Sequence, residues 1–229
     1  MTPDSNPPVA ILCDFDGTAT LRDSNDALVS HFVAAERRGT YDRLFRDGRL
    51  PLWQVLDQAL EACNVPLEVA TTHLLGSVQL DPHFATFTRW CEARGWPVRI
   101  VSAGVQEVIA AFLARADLNV PIAANRARQL EGRFGLVPVD PTCPTGVDKA
   151  AIIQACRASG AFTVFLGDGL SDRLAAPHAD LTLAKGSLAT YCERQGLAHV
   201  PFPHFRWVLD QLEGLVQAGL AARRTAREA

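Results

Sequence analysis

The sequence lacks the features that mark disulfide-bonded, zinc-binding and membrane-spanning proteins. Its six cysteines, at 13, 63, 91, 143, 156 and 192, never form a C-x-x-C pair, which argues against a disulfide framework and a zinc site. No apolar run approaches the roughly 18 residues that cross a bilayer. The segment Met1–Pro8 is polar and proline-rich and has no apolar signal region, so we expect a cytoplasmic protein.

The chain also has no excess of positive charge. The net charge of −3 gives no basic field that would hold nucleic acid or an anionic membrane, and we expect neither as a partner. With 229 residues, of which 48% are hydrophobic, the chain can fill one large α/β core or a core with a small accessory domain. The sequence leaves monomer and homodimer both open.

What the sequence does contain is a series of short apolar runs, each ended by turn or charged residues. Such runs are typical of strands buried on both faces of a parallel sheet. They cover 8–13, 97–101, 162–166 and 181–184, with 120–123 as a weaker candidate. Helical periodicity at 105–113 and 150–156 separates them, a short hairpin is predicted near 130–134, and an amphipathic helix at 205–222. This alternation predicts an α/β fold with a Rossmann-like, mostly parallel sheet flanked by helices.

The segment between the first and second predicted strands is too long for a single crossover. It reads as helices over 23–38, capped by Asp23 or Ser24, over 52–62 and over 67–75, and a further helix is capped by Asp81. We therefore predict a helical cap domain at 21–80, inserted after the first strand, and an α/β core formed by 1–20 and 81–229.

Polar side chains follow the predicted strands at the points where they end. Asp14 and Asp16 follow the first strand, Ser102 the second, and Asp168 and Asp172 a later one. Ligands of open parallel sheets bind beyond these ends, and carboxylates gathered there repel one another unless a cation lies among them. A single such Asp is more often a helix cap, but the whole set predicts a Mg²⁺ site with oxygen ligands.

Phosphate requires hydrogen-bond donors as well as a metal. The segment Ser102-Ala103-Gly104 offers a hydroxyl and backbone N–H groups at the predicted start of a helix. Lys149, at the start of the next predicted helix, can neutralise negative charge there. Taken alone, a plain helix cap and an exposed lysine are the more usual interpretations of these residues.

Together these residues resemble the haloacid dehalogenase-like superfamily, over Val9 to about Leu212. The resemblance lies in motifs that occur in order: Asp14-Phe-Asp16-Gly-Thr18, Ser102, Lys149, and Gly167-Asp168-Gly-Leu-Ser-Asp172. Within the superfamily the chain is most similar to the phosphoserine phosphatase branch. It is closest there to the methionine-salvage phosphatases that act on 2-hydroxy-3-keto-5-methylthiopentenyl 1-phosphate, as the segments 13–18 and 192–202 indicate.

The resemblance implies a role for each motif residue. Asp14 would be the nucleophile that forms an aspartyl phosphate, and Asp16 the general acid and base. Asp168 would bind Mg²⁺ together with the Asp14 carboxylate and the Asp16 carbonyl, while Asp172 orients a metal-bound water. The phosphoryl group would be held by Thr18, Ser102, Ala103, Gly104 and Lys149.

These observations predict a Mg²⁺-dependent hydrolase of a small phosphomonoester. A phosphotransferase or mutase that uses the same aspartyl phosphate, and a non-catalytic binding module, are the alternatives. Phosphoserine would need an acid for its ammonium group, such as Asp23, and an arginine for its carboxylate. The predicted helix at 52–62 has no arginine, so we expect a methionine-salvage-type ketose phosphate, with Trp53 either on its apolar part or buried in the cap.

Overall fold

A computed structural model describes residues 7–48 and 50–228, so Met1–Asn6, Arg49 and Ala229 of the predicted domains lie outside the described residues. The strands are β1 (Val9–Cys13), β2 (Val98–Val105), β3 (Ile122–Leu130), β4 (Arg133–Val137), β5 (Phe162–Gly167), β6 (Leu181–Ala184) and β7 (Val200–Pro201). The helices are α1 (Ser24–Phe32), α2 (Ala35–Asp47), α3 (Leu52–Ala62), α4 (Leu67–Ser77), α5 (Phe84–Glu92), α6 (Gln106–Arg115), α7 (Lys149–Ala158), α8 (Gly186–Gln195) and α9 (Phe205–Glu228).

The strands form a seven-stranded sheet in the order β4-β3-β2-β1-β5-β6-β7. The pairs β1–β5, β2–β3, β5–β6 and β6–β7 are parallel, and β3–β4 is antiparallel. The predicted α/β fold with a mostly parallel, Rossmann-like sheet is therefore confirmed. Among the described residues, no helix combines the length and the apolarity that crossing a bilayer requires.

The chain divides into two compact units. The first unit comprises Met1–Asp14, Asp81–Arg99 and Lys149–Ala229, and the second unit comprises Phe15–Leu80 and Ile100–Asp148. All six cysteines are free thiols.

In the first unit, β5 is buried along its whole length, as its largely apolar sequence predicts. Helices α5 and α9 pack together through Phe84, Phe87 and Phe205, whose ring centroids lie 5.0 Å (Phe84–Phe205) and 4.9 Å (Phe87–Phe205) apart. The buried Asp81 carboxylate accepts hydrogen bonds from the N–H groups of His83 (2.8 Å) and Phe205 (3.1 Å). The predicted capping of α5 by Asp81 is wrong, because His83 is the N-cap and no side chain caps that helix. The Asp81 carboxylate instead joins the turn before α5 to the first residue of α9.

In the second unit, α3 packs against the β3–β4 hairpin through a cluster of charges. The Arg128 guanidinium donates to Asp57 (2.8 Å) and Glu61 (2.6 Å), and Asp57 also accepts from the N–H of Leu136 (2.7 Å). The ends of the segment 21–80 lie side by side, because Thr20 and Leu80 form an antiparallel bridge and the Leu21 N–H donates to Gln79. The cap domain itself stays a prediction.

Three predicted elements require correction. The single helix over 23–38 is wrong, because buried Val33 adopts an extended conformation (φ −101°, ψ 130°) that separates α1 from α2. Ser102-Ala103-Gly104 does not open a helix, since β2 continues to Val105 and α6 begins at Gln106. The weak strand at 120–123 and the first arm of the hairpin are one strand, β3.

Candidate active site

Asp14 directly follows β1 in the first unit. Its N–H donates to the carbonyl of Leu166 at 2.9 Å, so the pairing of β1 with β5 continues up to this residue. The residue is only 3% exposed. The sheet register therefore brings a buried carboxylate to the end of β5, where the loop carrying Asp168 and Asp172 begins.

Lys149, the first residue of α7, joins this carboxylate to the loop. Its side chain is 2% exposed, and Nζ donates to Asp14 Oδ1 (2.7 Å), Asp172 Oδ1 (2.6 Å) and Ser171 Oγ (3.1 Å). Burial alone lowers the pKa of Lys149, but the facing carboxylates outweigh it, so the pKa lies above its usual value. Burial and the neighbouring Asp172 raise the pKa of Asp14, and Lys149 opposes that increase.

Asp172 organises the loop after β5. Its Oδ2 accepts hydrogen bonds from the backbone N–H groups of Asp168 and Gly169, each at 3.0 Å, while Oδ1 accepts from Lys149. A side chain at position 167 would put a Cβ 2.7 Å from Asp172 Oδ2, so only glycine fits there. Both oxygens of this buried carboxylate are thus committed to protein donors.

The carboxylates of the first unit form a candidate metal centre. One oxygen from each of Asp14, Asp168 and Asp172 lies within 4.8 Å of the others. The Asp14 and Asp172 carboxylates both face the ammonium group of Lys149, and the Asp168 carboxylate lies beside them. Hard divalent cations such as Mg²⁺ prefer oxygen donors of this kind, and the set can hold one.

In the second unit, the Asp16 side chain is held at the start of α1. Oδ1 accepts from the N–H (3.0 Å) and the hydroxyl (2.5 Å) of Ser24, and Oδ2 accepts from the Asn25 amide at 3.5 Å. The first N–H groups of a helix have no partner within the helix and carry the positive end of its dipole. This location therefore stabilises a carboxylate and fixes its direction.

The predicted phosphate-binding segment, 102–104, also belongs to the second unit. Ser102 is buried, and its Oγ accepts from the N–H of Gly104 at 3.0 Å. A Cβ on residue 104 would lie 2.6 Å from Asp16 Oδ2 and 3.2 Å from Ser102 Oγ. Residue 104 must be glycine because the Asp16 carboxylate passes so close to its backbone.

Gly104→Ala is therefore expected to displace the Asp16 carboxylate and lower kcat/KM. A displacement of about 1 Å at a reacting group can cost about 10²-fold in rate. The matched control is Gly76→Ala in α4, because a Cβ there meets nothing within 4 Å and alanine favours helices. Phosphate-release kinetics of both variants measure the effect. Equal activities would show that the close approach of Gly104 and Asp16 has no catalytic importance.

The structure places the remaining predicted residues in the second unit as follows. Thr18 is buried in the turn after β1, and the hydroxyl of Thr20 closes that turn by accepting from the Gly17 N–H at 3.0 Å. Exposed Asp23 caps α1, accepting from the Asp26 N–H at 2.9 Å. Trp53 is half-buried in α3, and its indole Nε1 is buried with no hydrogen-bond partner among the described residues.

Sequence reasoning missed Ser24, Asn25, Ser171 and Thr20. Ser24 was an alternative cap for α1, yet its hydroxyl binds Asp16 while Asp23 supplies the cap. Ser171 is part of the motif after β5, but only the fold shows that its hydroxyl lies beside Lys149. Polar residues near a motif are the one available signal, and they do not reveal their partners.

Comparisons with known proteins agree with this arrangement. Residues 11–177 match the family model of the haloacid dehalogenase-like hydrolases. A polyol phosphate phosphatase of Saccharomyces cerevisiae is 30% identical over 238 residues, covering 95% of this chain and 96% of the relative. A 2-hydroxy-3-keto-5-methylthiopentenyl-1-phosphate phosphatase of Brevibacillus brevis is 27% identical, covering 91% and 97%.

A solved structure of a phosphoserine phosphatase, carrying an analogue of its phospho-aspartyl intermediate, shares the fold. It has a TM-score of 0.67 and 18% identity, and the match covers 89% of this chain and 98% of that one. The family match extends over more than half of the chain, and the yeast and Brevibacillus relatives, which align along almost its full length, are named as phosphatases. The chain therefore belongs to the haloacid dehalogenase-like hydrolases and is one of the phosphatases among them.

Proposed function

We propose that the chain is a Mg²⁺-dependent phosphomonoester hydrolase that acts on a small polyol phosphate or ketose phosphate with no charged group besides the phosphate. The observation that carries this proposal is the buried cluster of Asp14, Lys149, Asp168 and Asp172. It combines a nucleophile, a fixed cation and oxygen ligands for a metal in one place. No other group of three or more potential metal ligands occurs in the described part of the chain.

Mg²⁺ suits the residues of this cluster. Asp14 and Asp168 would hold it, along with the backbone carbonyl of Asp16. Asp172 would orient water beside the ion instead of binding it directly, because both of its oxygens already accept hydrogen bonds from the protein. When bound, Mg²⁺ would neutralise charge on the nucleophile and on the phosphoryl group.

The chemistry then follows from the side chains. Asp14 attacks phosphorus, and the bond between phosphorus and the leaving oxygen breaks. Asp16 protonates the leaving alkoxide and later takes a proton from the water that hydrolyses the aspartyl phosphate. Lys149 offsets negative charge on Asp14 and on the phosphoryl group, while Ser102 and the adjacent backbone, with Thr18 in the turn after β1, hold the phosphoryl oxygens.

The proposed substrate class rests on the cap segment, 21–80, and on the relatives. Helix α3 carries no arginine for a substrate carboxylate, whereas the buried indole N–H of Trp53 can donate to a neutral hydroxyl or carbonyl oxygen. The yeast and Brevibacillus relatives are named for a polyol phosphate and a ketose-type phosphate. The pairing of Thr20 with Leu80 supports 21–80 as an inserted cap.

Removal of divalent metal is expected to abolish turnover. Chelator-treated enzyme should release no phosphate above background, and Mg²⁺ should restore activity, since both the nucleophile and the phosphoryl group need charge neutralisation. Excess Ca²⁺ should inhibit, because it takes more ligands at longer distances. Phosphate release with and without each metal is the measurement. Full activity in chelator would refute the proposed metal site.

A substrate whose phosphate is its one charged group should be preferred over phosphoserine. Leaving a substrate carboxylate without a buried partner costs about 2–5 kcal/mol, so we expect at least a tenfold higher kcat/KM for a polyol phosphate or a methylthio-ketose phosphate. The variant Trp53→Phe keeps the ring and removes the N–H, so it should raise KM for the preferred substrate. A tenfold preference for phosphoserine would overturn the assignment of substrate class.

A further inference from the structure

Asn125 is a fully buried polar residue of β3 that the proposed mechanism does not use. Its exposed fraction is 0%, and both the nitrogen and the oxygen of its side-chain amide form hydrogen bonds. Nδ2 donates to the carbonyls of Ala103 (2.8 Å) and Thr145 (3.0 Å), and Oδ1 accepts from the N–H of Val139 at 3.3 Å. A buried amide bonded in three directions can take only one orientation.

The neighbouring strand explains why this amide is needed. In the β2–β3 register, Ser102 pairs with Ala124 and Val105 pairs with Asn125, so Ala103 and Gly104 have no partner residue in β3. Such a bulge leaves its backbone groups without ladder hydrogen bonds. The Asn125 side chain supplies what the ladder does not, because it binds the Ala103 carbonyl.

The peptide between Ala103 and Gly104 is thereby held at both ends. Asn125 binds the carbonyl of Ala103, and the N–H of Gly104 donates to Ser102 Oγ. Because Ser102 Oγ accepts this bond, its own hydroxyl hydrogen remains for a further acceptor, such as a phosphoryl oxygen. The orientation of the whole segment 102–104 thus depends on one amide side chain.

The same amide orders the segment 139–147. Gly146, at φ +76°, packs so tightly on Asn125 that a Cβ there would lie 2.9 Å from Cγ and Nδ2 of the amide. The carbonyl of Pro144, next to Thr145, accepts a hydrogen bond from the backbone N–H of Trp53 at 3.2 Å. Asn125 therefore also stabilises the segment on which α3 rests.

We infer that Asn125 is a positioning residue, which orients Ser102-Ala103-Gly104 for the phosphoryl group without touching it. The inference rests on the proposed function of that segment. A purely structural role would affect stability alone. A positioning role also affects affinity for phosphate and the local opening of this segment.

The test compares Asn125→Asp with the wild type. The variant keeps the shape of the side chain but directs an oxygen at two carbonyls. We expect inorganic phosphate, used as a competitive inhibitor, to bind at least tenfold more weakly, and amide hydrogens of 102–105 to exchange faster. The control is Thr88→Val in α5, which also removes a buried hydrogen bond to a carbonyl and should change neither quantity. If Asn125→Asp does not fold, Asn125→Ser replaces it in the same two measurements, because serine keeps a hydrogen-bond donor on a shorter side chain.

If amide hydrogens of 102–105 exchange at the same rate in Asn125→Asp and in the wild type, the inference is wrong. Faster exchange in the variant with an unchanged affinity for phosphate would also overturn it. A wild-type protein that phosphate does not inhibit and that releases none from any substrate would refute the proposed function instead. The exchange measurement would then still decide whether Asn125 fixes the segment, because it requires no activity.

Discussion

Asp14→Asn is expected to remove phosphatase activity while the protein stays folded. An amide cannot act as the nucleophile, and loss of a nucleophile typically costs far more than ~10³-fold in kcat. The fold should persist, because the change is nearly isosteric and takes one charge out of a crowded cluster, leaving Lys149 paired with Asp172. Activity and thermal unfolding of the same preparation measure the two expectations.

The matched control for this variant is Asp26→Asn, which changes an exposed carboxylate paired with Arg22 and should be close to neutral. A beryllium fluoride adduct, or phosphoenzyme trapped by rapid quenching, should place the label on Asp14 of the wild type. Mass spectrometry that located the phosphoryl group on Ser102 would show that the proposed mechanism is wrong.

Lys149→Met should cause the largest loss of stability. The substitution leaves the buried carboxylates of Asp14 and Asp172 facing each other, and removing one partner of a buried ion pair costs about 3–5 kcal/mol. Turnover should fall as well, since Lys149 offsets charge on the nucleophile. Chemical denaturation of metal-free protein gives the free energy of unfolding.

Arg206→Met is the control for Lys149→Met, since it breaks an exposed ion pair with Asp210 and should cost less than about 1 kcal/mol. Added Mg²⁺ should recover part of the stability lost in Lys149→Met, because a bound Mg²⁺ can offset the carboxylate charges that Lys149 no longer offsets. Equal unfolding free energies for the two variants would contradict the conclusion that Lys149 offsets the charges of Asp14 and Asp172.

Much of this fold could be predicted because its signals are local. The bounds of β1, β6 and α3 agree with the sequence pattern, since an apolar run or an amphipathic repeat ends at each of them. The break at Val33 was missed because the residues on either side keep a helical spacing. The cluster of Asp57, Glu61 and Arg128 was also missed, because its members are distant in sequence and each is an ordinary charged residue.

The candidate site also has features that could be predicted from the sequence and features that could not. Position at the end of a strand is enough to predict that Asp14 lies near Asp168 and Asp172, as the structure shows. The partners of Asp16 and of Ala103 could not be predicted, because a serine at a helix start or an asparagine in a strand gives no sign of what it binds. The catalytic role of each residue stays a prediction until the variants are measured.

The discontinuity of the two units has a consequence for the synthesis of the protein. The first unit pairs β1 with β5, so residues near position 9 cannot form this strand pairing until residues near position 162 have been synthesised. A ribosome adds about 5–20 residues each second, which leaves one edge of β1 without its partner β5 for many seconds, although β2 on the other side emerges earlier. Non-local pairing of this kind also slows folding. One edge of β1 is therefore expected to remain unpaired until β5 has emerged.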